Sequence, residues 1–290
     1  VHALIFDPGI VASRPGAAYV YTRKDGVWSQ SQRIAASDAQ GADVFGTGIA
    51  LDGNTLAVGA AWESTSGDRS GAVYIFERTG SMWVERQKLK ASKPSAGAFF
   101  GAHLALEGDY LVVGAPNDNR PYTRTGTAEI FVRRGGMWMS QQFLQPASLS
   151  ENANFGFGVA VHSGRVVVGA PRTSPYFTES ALPPGEVYVF DLNGDRWDQT
   201  ALLRSPNPTQ LDCFGIGVAL SDLGLAIGAN GDMSGARGIG GDPTRTDAKL
   251  SGATYLYAPT ADGWSETAYI KPHNTGTNDA FGYVVELDGE

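Results

Sequence analysis

Phe100-Gly-Ala-His-Leu-Ala-Leu-Glu-Gly-Asp-Tyr-Leu-Val-Val-Gly-Ala-Pro116 is the stretch whose reading decides the fold. Two short apolar runs flank Glu107-Gly108-Asp109, a tight-turn signal, so the segment reads as a β-hairpin that opens on Phe-Gly and closes on Gly-Ala. The opening dipeptide recurs at Phe45-Gly46, Phe155-Gly156, Phe214-Gly215 and Phe281-Gly282. About 14 residues after each of the first four comes the Gly-Ala pair, at Gly59, Gly114, Gly169 and Gly228.

Two further elements keep the same order. Gly-x-x-aromatic-x-aromatic reads Gly16 to Tyr21, Gly71 to Phe76, Gly185 to Phe190 and Gly252 to Tyr257, and one altered copy has Glu129 before Phe131. A tryptophan ends each unit: Trp28, Trp83, Trp138, Trp197 and Trp264. Each unit is therefore four short strands, A to D, with no sustained helical periodicity. Four-stranded units repeated about an axis define a β-propeller, which leaves only short, protected strand edges.

The Phe-to-Phe spacings are 55, 55, 59 and 67 residues. The ten residues from Phe281 onward and the 44 before Phe45 together make a unit of 54, the size of the others. Phe281-Gly-Tyr-Val-Val-Glu-Leu287 supplies a strand A, and Ala3-Leu-Ile-Phe-Asp-Pro-Gly9 stands where strand B stands elsewhere. The expectation is an all-β, five-bladed propeller in one domain, 1–290. Its blades run 281–290 plus 1–44, then 45–99, 100–154, 155–213 and 214–280, with both termini sharing one blade.

Composition agrees. Gly makes up 38 of 290 residues, 42% are hydrophobic, and only 18% are charged, which excludes a disordered chain. No apolar run approaches the roughly 20 residues that span a membrane, so membrane insertion is not expected. With 22 Lys and Arg against 30 Asp and Glu, the net charge of −8 is a poor footprint for nucleic acid or an anionic membrane. Cys213 is the only cysteine, so no intrachain disulfide forms; that fits an oxidising compartment without proving one. The chain begins at Val1 with no charged-then-apolar leader; removal of a signal and trimming are both open.

The motif pair resembles the FG-GAP repeat, the propeller unit of integrin alpha-subunit heads and of many bacterial secreted or surface proteins. The resemblance covers essentially the whole chain. It implies an extracellular setting and a role in binding or adhesion, and it names no ligand. Many integrin-type blades carry an Asp-x-Asp-x-Asp-Gly calcium loop between strands A and B. Here those positions are tight turns without closely spaced oxygen ligands, such as Asp52-Gly53-Asn54 and His162-Ser163-Gly164. Asp191, Asn193 and Asp195 look like half such a loop but fall where other copies have a C–D hairpin turn. Asn117, Asp118 and Asn119, in a B–C loop, are a second weak set. No cofactor is expected; structural calcium is left open.

Strand direction alternates, so the A–B and C–D turns share one face and the B–C and D–A loops share the other. The second face carries the long, unlike loops, where binding on a rigid scaffold usually sits. Trp62, Tyr122, Tyr176 and Phe177 lie in B–C loops, outside the repeat. They either stack on a sugar ring or anchor a protein partner, or fold back over the blade beneath. The five repeat tryptophans are expected between blades.

On the A strands the ionisable residues are His103 and Glu286, read as channel filling, a structural pair or a small-ligand site. Glycosidase chemistry would need paired carboxylates there, and no Gly-x-Ser-x-Gly elbow or His metal spacing occurs, so no catalytic residue is assigned. The expected function is non-catalytic recognition of a glycan or an extracellular protein. The alternatives are a self-associating structural module and, last, a glycoside hydrolase.

Overall fold

Strand follows strand where the repeat places one, except in the C-terminal segment. The computed structural model describes residues 2–7, 16–173, 184–208 and 211–287, and among them there is no α-helix. Nor, among them, is any helix long and apolar enough to cross a membrane. Sheet I holds β1 (His2–Asp7), β2 (Ala17–Lys24) and β3 (Val27–Ile34). Sheet II holds β4 (Phe45–Asp52), β5 (Thr55–Ala60), β6 (Ala72–Thr79) and β7 (Met82–Leu89). Sheet III holds β8 (His103–Glu107), β9 (Tyr110–Ala115), β10 (Thr127–Arg134) and β11 (Met137–Leu144).

Sheet IV holds β12 (Val159–His162), β13 (Arg165–Ala170), β14 (Glu186–Asn193) and β15 (Arg196–Arg204). Sheet V holds β16 (Val218–Ser221), β17 (Gly224–Ala229), β19 (Ala253–Thr260) and β20 (Gly263–Lys271). Its fifth strand, β18 (Gly238–Ile239), arises inside the longest B–C loop and pairs with the outer edge of β20 at Lys271 and Ile270. Sequence reading left that loop without structure, because two residues carry no periodicity.

The strands meander with antiparallel neighbours, and the outer hairpins turn on two residues, as at Gly80-Ser81 and Gly194-Asp195. In four of those hairpins the register slips at the second aromatic: Tyr21, Phe76, Phe190 and Tyr257. A bulge at the same place in each copy bends the outer strand and increases its twist. β1 pairs with β2 as β5 pairs with β6, so the N-terminal segment occupies a strand-B position, as expected. The C-terminal segment differs from expectation, because residues 283–287 form no strand. Residues 283–287 are all exposed or half-buried, Tyr283 and Val284 at 52% and 73%, so no buried face holds the segment as a strand.

The chain divides into two compact units, 1–119 with 129–144 and 120–128 with 145–290. The first holds sheets I and II and all of sheet III but the opening of β10; the second holds sheets IV and V.

Within each unit the motif dipeptides form the seams between successive sheets. Gly16 bridges to Phe45 and Gly71 to Phe100 in the first, and Gly126 to Phe155 and Gly252 to Phe281 in the second. The Gly-Ala glycine lies directly under the next Phe-Gly. A methyl group on Gly59 would sit 1.9 Å from Gly101 O, and one on Gly228 would sit 1.8 Å from Gly282 O. Backbone touches backbone there, which is why the position is glycine. Phe45, Phe100, Phe155 and Phe214 are buried and meet the third-strand aromatics edge-on, Phe45 with Tyr74 at 5.5 Å and Phe155 with Tyr188 at 5.4 Å. Full burial of each such ring contributes about 1.5–3 kcal/mol.

The repeat tryptophans divide. Trp83, Trp138 and Trp197 are buried and Trp264 half-buried, whereas Trp28 is 42% exposed. Gln32 on β3 brackets the Trp83 backbone with bonds of 2.9 and 2.7 Å, and Gln87 on β7 does the same for Trp138. Trp28 lies on β3, whose residues 27–31 are all exposed. Its expected burial is corrected on that ground.

The residue before each Phe-Gly is left-handed in every copy: Val44, Phe99, Asn154, Cys213 and Ala280, at φ between +52° and +59°. Only asparagine is at ease there, and a β-branched valine is an outlier.

Candidate functional site

Trp62 follows the buried Gly59-Ala60-Ala61 end of β5, and its indole stands 36% exposed at the start of the B–C loop. Ser64 Oγ donates to Trp62 O and accepts from Arg69 N, a local side-chain turn that brings Arg69 back over the indole. The Arg69 guanidinium lies 4.5 Å from the ring centroid, and Phe99 packs against the same indole at 6.2 Å. Residues 40–43 of the preceding D–A loop close the other side, giving a cavity of about 470 Å³ within the first unit. Its wall carries Asp43, Glu63 and Asp68, with the Ser64 and Thr65 hydroxyls between them.

These carboxylates are held differently. Asp43, 5% exposed, accepts Gln40 N at 2.8 Å. Glu63, 2% exposed, is bonded by Thr65, by Lys88 Nζ at 2.9 Å and by Lys90 Nζ. Lys88 also reaches Asp38, which accepts the Tyr74 hydroxyl at 2.7 Å. Burial alone would raise the Asp38 carboxyl, but the hydrogen bonds from Lys88 and Tyr74 outweigh it and hold the group below its ordinary range. Burial, then the bond to Asp38, pushes the Tyr74 phenol well above its usual value. The floor of the cavity is thus a fixed ionic network, and its open side is an aromatic plate beside hydroxyls and the exposed Asp68.

The second unit builds the same kind of network. Asp232, 1% exposed, accepts Lys271 Nζ at 2.9 Å, the Tyr269 hydroxyl at 3.0 Å and Ser234 N at 2.9 Å. Glu186 is bonded by Arg172, Arg204 and the Tyr188 hydroxyl. In sheet III the altered repeat position, Glu129, is 1% exposed and takes Ser92 N at 3.0 Å and the Ser140 hydroxyl. Its carboxylate accepts hydrogen bonds where the Tyr74 and Tyr188 hydroxyls donate them. Sequence reading missed these networks, although two signals were present. An acid stands four residues after the Gly-Ala glycine at Glu63, Asp118 and Asp232. A cation stands seven after the tryptophan at Lys90, Arg204 and Lys271.

The remaining candidates are placed separately. Tyr122 is 58% exposed in the B–C loop after β9, where its carbonyl accepts Thr125 Oγ1 at 2.8 Å. Tyr176 and Phe177 lie outside the described residues. His103 opens β8; it is half-buried by surface, yet enough protein surrounds it that burial pushes its imidazole down to about 4. Glu286 is exposed in the strandless C-terminal segment, off the strand on which it was expected. Asp191 lies on β14 opposite Asp198 of β15, and its carboxylate accepts Arg165 Nε at 2.6 Å and Thr200 Oγ1 at 2.7 Å. Asn193 there donates to Asp198, and Asp195 is a turn residue. Asp118 is buried between half-buried Asn117 and exposed Asn119. Among the described residues no group of three or more His, Cys, Asp or Glu side chains could hold a metal ion.

Repeated antiparallel sheets joined through Phe-Gly and Gly-Ala seams define a propeller-type, integrin-like repeat. Residues 28–76 and 83–131 match the family model described as FG-GAP repeat, so the chain carries FG-GAP repeats. Each match starts at a fourth-strand tryptophan and ends at the second aromatic of the next sheet's third strand. Such repeats suggest a binding or adhesion module, and the family is generally non-catalytic. No curated protein matches the chain.

Proposed function

We propose that this chain is an extracellular, non-catalytic binding module: one five-bladed propeller with a blade shared by both termini, which recognises a glycan through its long-loop face. The Trp62 cavity carries the reading. A sugar presents an apolar C–H face and a rim of hydroxyls, and the cavity offers an aromatic plate beside carboxylate and hydroxyl acceptors in about 470 Å³. Arg69 orients the indole and adds donors at the rim. A glycan array run with calcium and again with EDTA tests this. Binding should survive EDTA and weaken about tenfold or more on Trp62→Ala. A blank array in both conditions refutes it.

A second reading, self-association or docking onto an extracellular protein, is favoured by the outer strands of the first unit. Val27, Met82, Val84, Met137 and Met139 there are 39–67% exposed. That reading expects concentration-dependent oligomers by light scattering, with no response to sugars.

A further inference from the structure

The second unit contains a different kind of cavity, of about 350 Å³, walled mainly by carbon. The residue after each Phe-Gly is Thr47 and Ala102 in the first unit but Phe157, Ile216 and Tyr283 in the second. All three of those larger side chains line this one cavity. Packing does not demand them, since a threonine and an alanine fill the equivalent place in the repeat. Ile216 is 5% exposed and forms floor, whereas Tyr283 is 52% exposed and forms rim.

Leu211 and Leu250 add apolar wall from a D–A and a B–C loop, and Cys213 faces the same space. Burial, then nearby Asp212, pushes the Cys213 thiol up to about 12, so it is a neutral, carbon-like lining atom at physiological pH. The wall has one polar irregularity. Asn230 lines the cavity, and its Oδ1 is a buried acceptor with no hydrogen-bond partner among the described residues. An unsatisfied acceptor beside an apolar cavity favours a guest that brings a donor.

We infer that this cavity is a binding site for a small planar aromatic molecule bearing one N–H or O–H donor. The site is independent of the Trp62 cavity and of any glycan bound there. The ring inserts between Phe157, Ile216 and Tyr283, and its donor meets Asn230 Oδ1 after a small adjustment of the amide.

Indole is the probe, and benzofuran is its counterpart of the same shape without a donor. Calorimetric titration of the full chain should give one saturable indole site. Benzofuran should bind at least about tenfold more weakly, because Asn230 stays unpaired. Phe157→Thr and Tyr283→Ala install residue types that the first unit tolerates, and each should weaken indole by a similar factor. Alkylation of Cys213 by iodoacetamide at alkaline pH should slow in saturating indole. That readout separates occupancy of this cavity from binding elsewhere. Absence of saturable binding, or binding that leaves Cys213 alkylation unchanged, would overturn the inference. A blank glycan array would leave it standing.

Discussion

Gly59→Ala tests whether the seams between sheets rest on backbone contact. Gly59 is not left-handed, so alanine brings no conformational penalty of its own, and the effect is steric. The new methyl carbon would lie 1.9 Å from Gly101 O and 2.8 Å from Gly101 C, where ordinary contact begins at 3.4 Å. Sheets II and III must therefore part by about 1.5 Å at this point, and a gap of even 0.5–1 Å forfeits a quarter to a half of each dispersion contact. The side chains that lose contact are those of the cluster around Ala57, Val73, Ile75 and Phe100.

Overpacking usually costs about 1–3 kcal/mol when side chains can yield. Here the obstacle is a peptide group, so we expect about 3–5 kcal/mol and a fall in Tm of about 5–8 °C. Urea unfolding followed by tryptophan fluorescence reads it. Gly53→Ala is the control: at φ +53° with nothing within 4 Å of the added methyl, it should lose only about 1 kcal/mol of backbone strain. If Gly59→Ala is no worse than Gly53→Ala, the seam is not what the glycines serve.

Three other outcomes follow from the buried groups. Lys271→Met removes the cation from buried Asp232 and should cost about 3–5 kcal/mol in chemical unfolding; a change under about 1 kcal/mol would refute the role of the pair. His103 takes a proton near 6.5 when unfolded but only near 4 when folded, so its contribution is intact above pH 6.5 and is lost as pH falls toward 4. That loss should be about 1–3 kcal/mol in wild type. It should vanish from the pH 7 against pH 4.5 comparison in His103→Gln; equal pH slopes would refute it. Val44→Gly relieves a β-branched residue at φ +54°, offset by backbone entropy, for a net gain of about 0.5–1 kcal/mol; a loss of stability would show the valine side chain matters more.

The strands were legible in the sequence because four motif elements recur in fixed order, and each has a local cause. Turn glycines, period-two apolar runs and paired aromatics all act within one hairpin. The β18 strand was not legible, since its only reason to form is the outer edge of β20. Trp28 carries the same motif as Trp83, yet Trp28 is exposed while Trp83 is buried with its backbone held by Gln32 of sheet I, a contact that no motif records. Trp62 was legible as an aromatic outside the repeat, but its setting was not. Arg69 reaches it through a turn held by Ser64, and Glu63 becomes a wall only when Lys88 and Lys90 arrive from β7 and the residue after it. The apolar cavity was spelled out at Phe157, Ile216 and Tyr283. Reading it required comparing one repeat position across copies, where the motif itself had drawn attention to the invariant phenylalanine beside it.

Seams made of peptide groups have a consequence for how such a chain can change. A joint between side chains is a lock fitted to one neighbour, and replacing either sheet means refitting both. Where glycine rests on glycine, every sheet offers the next the same blank surface. Copies can then be exchanged, duplicated or allowed to diverge in their loops with the joint untouched. Because each family match runs from the last strand of one sheet into three strands of the next, a duplicated copy would arrive already stitched to its neighbour.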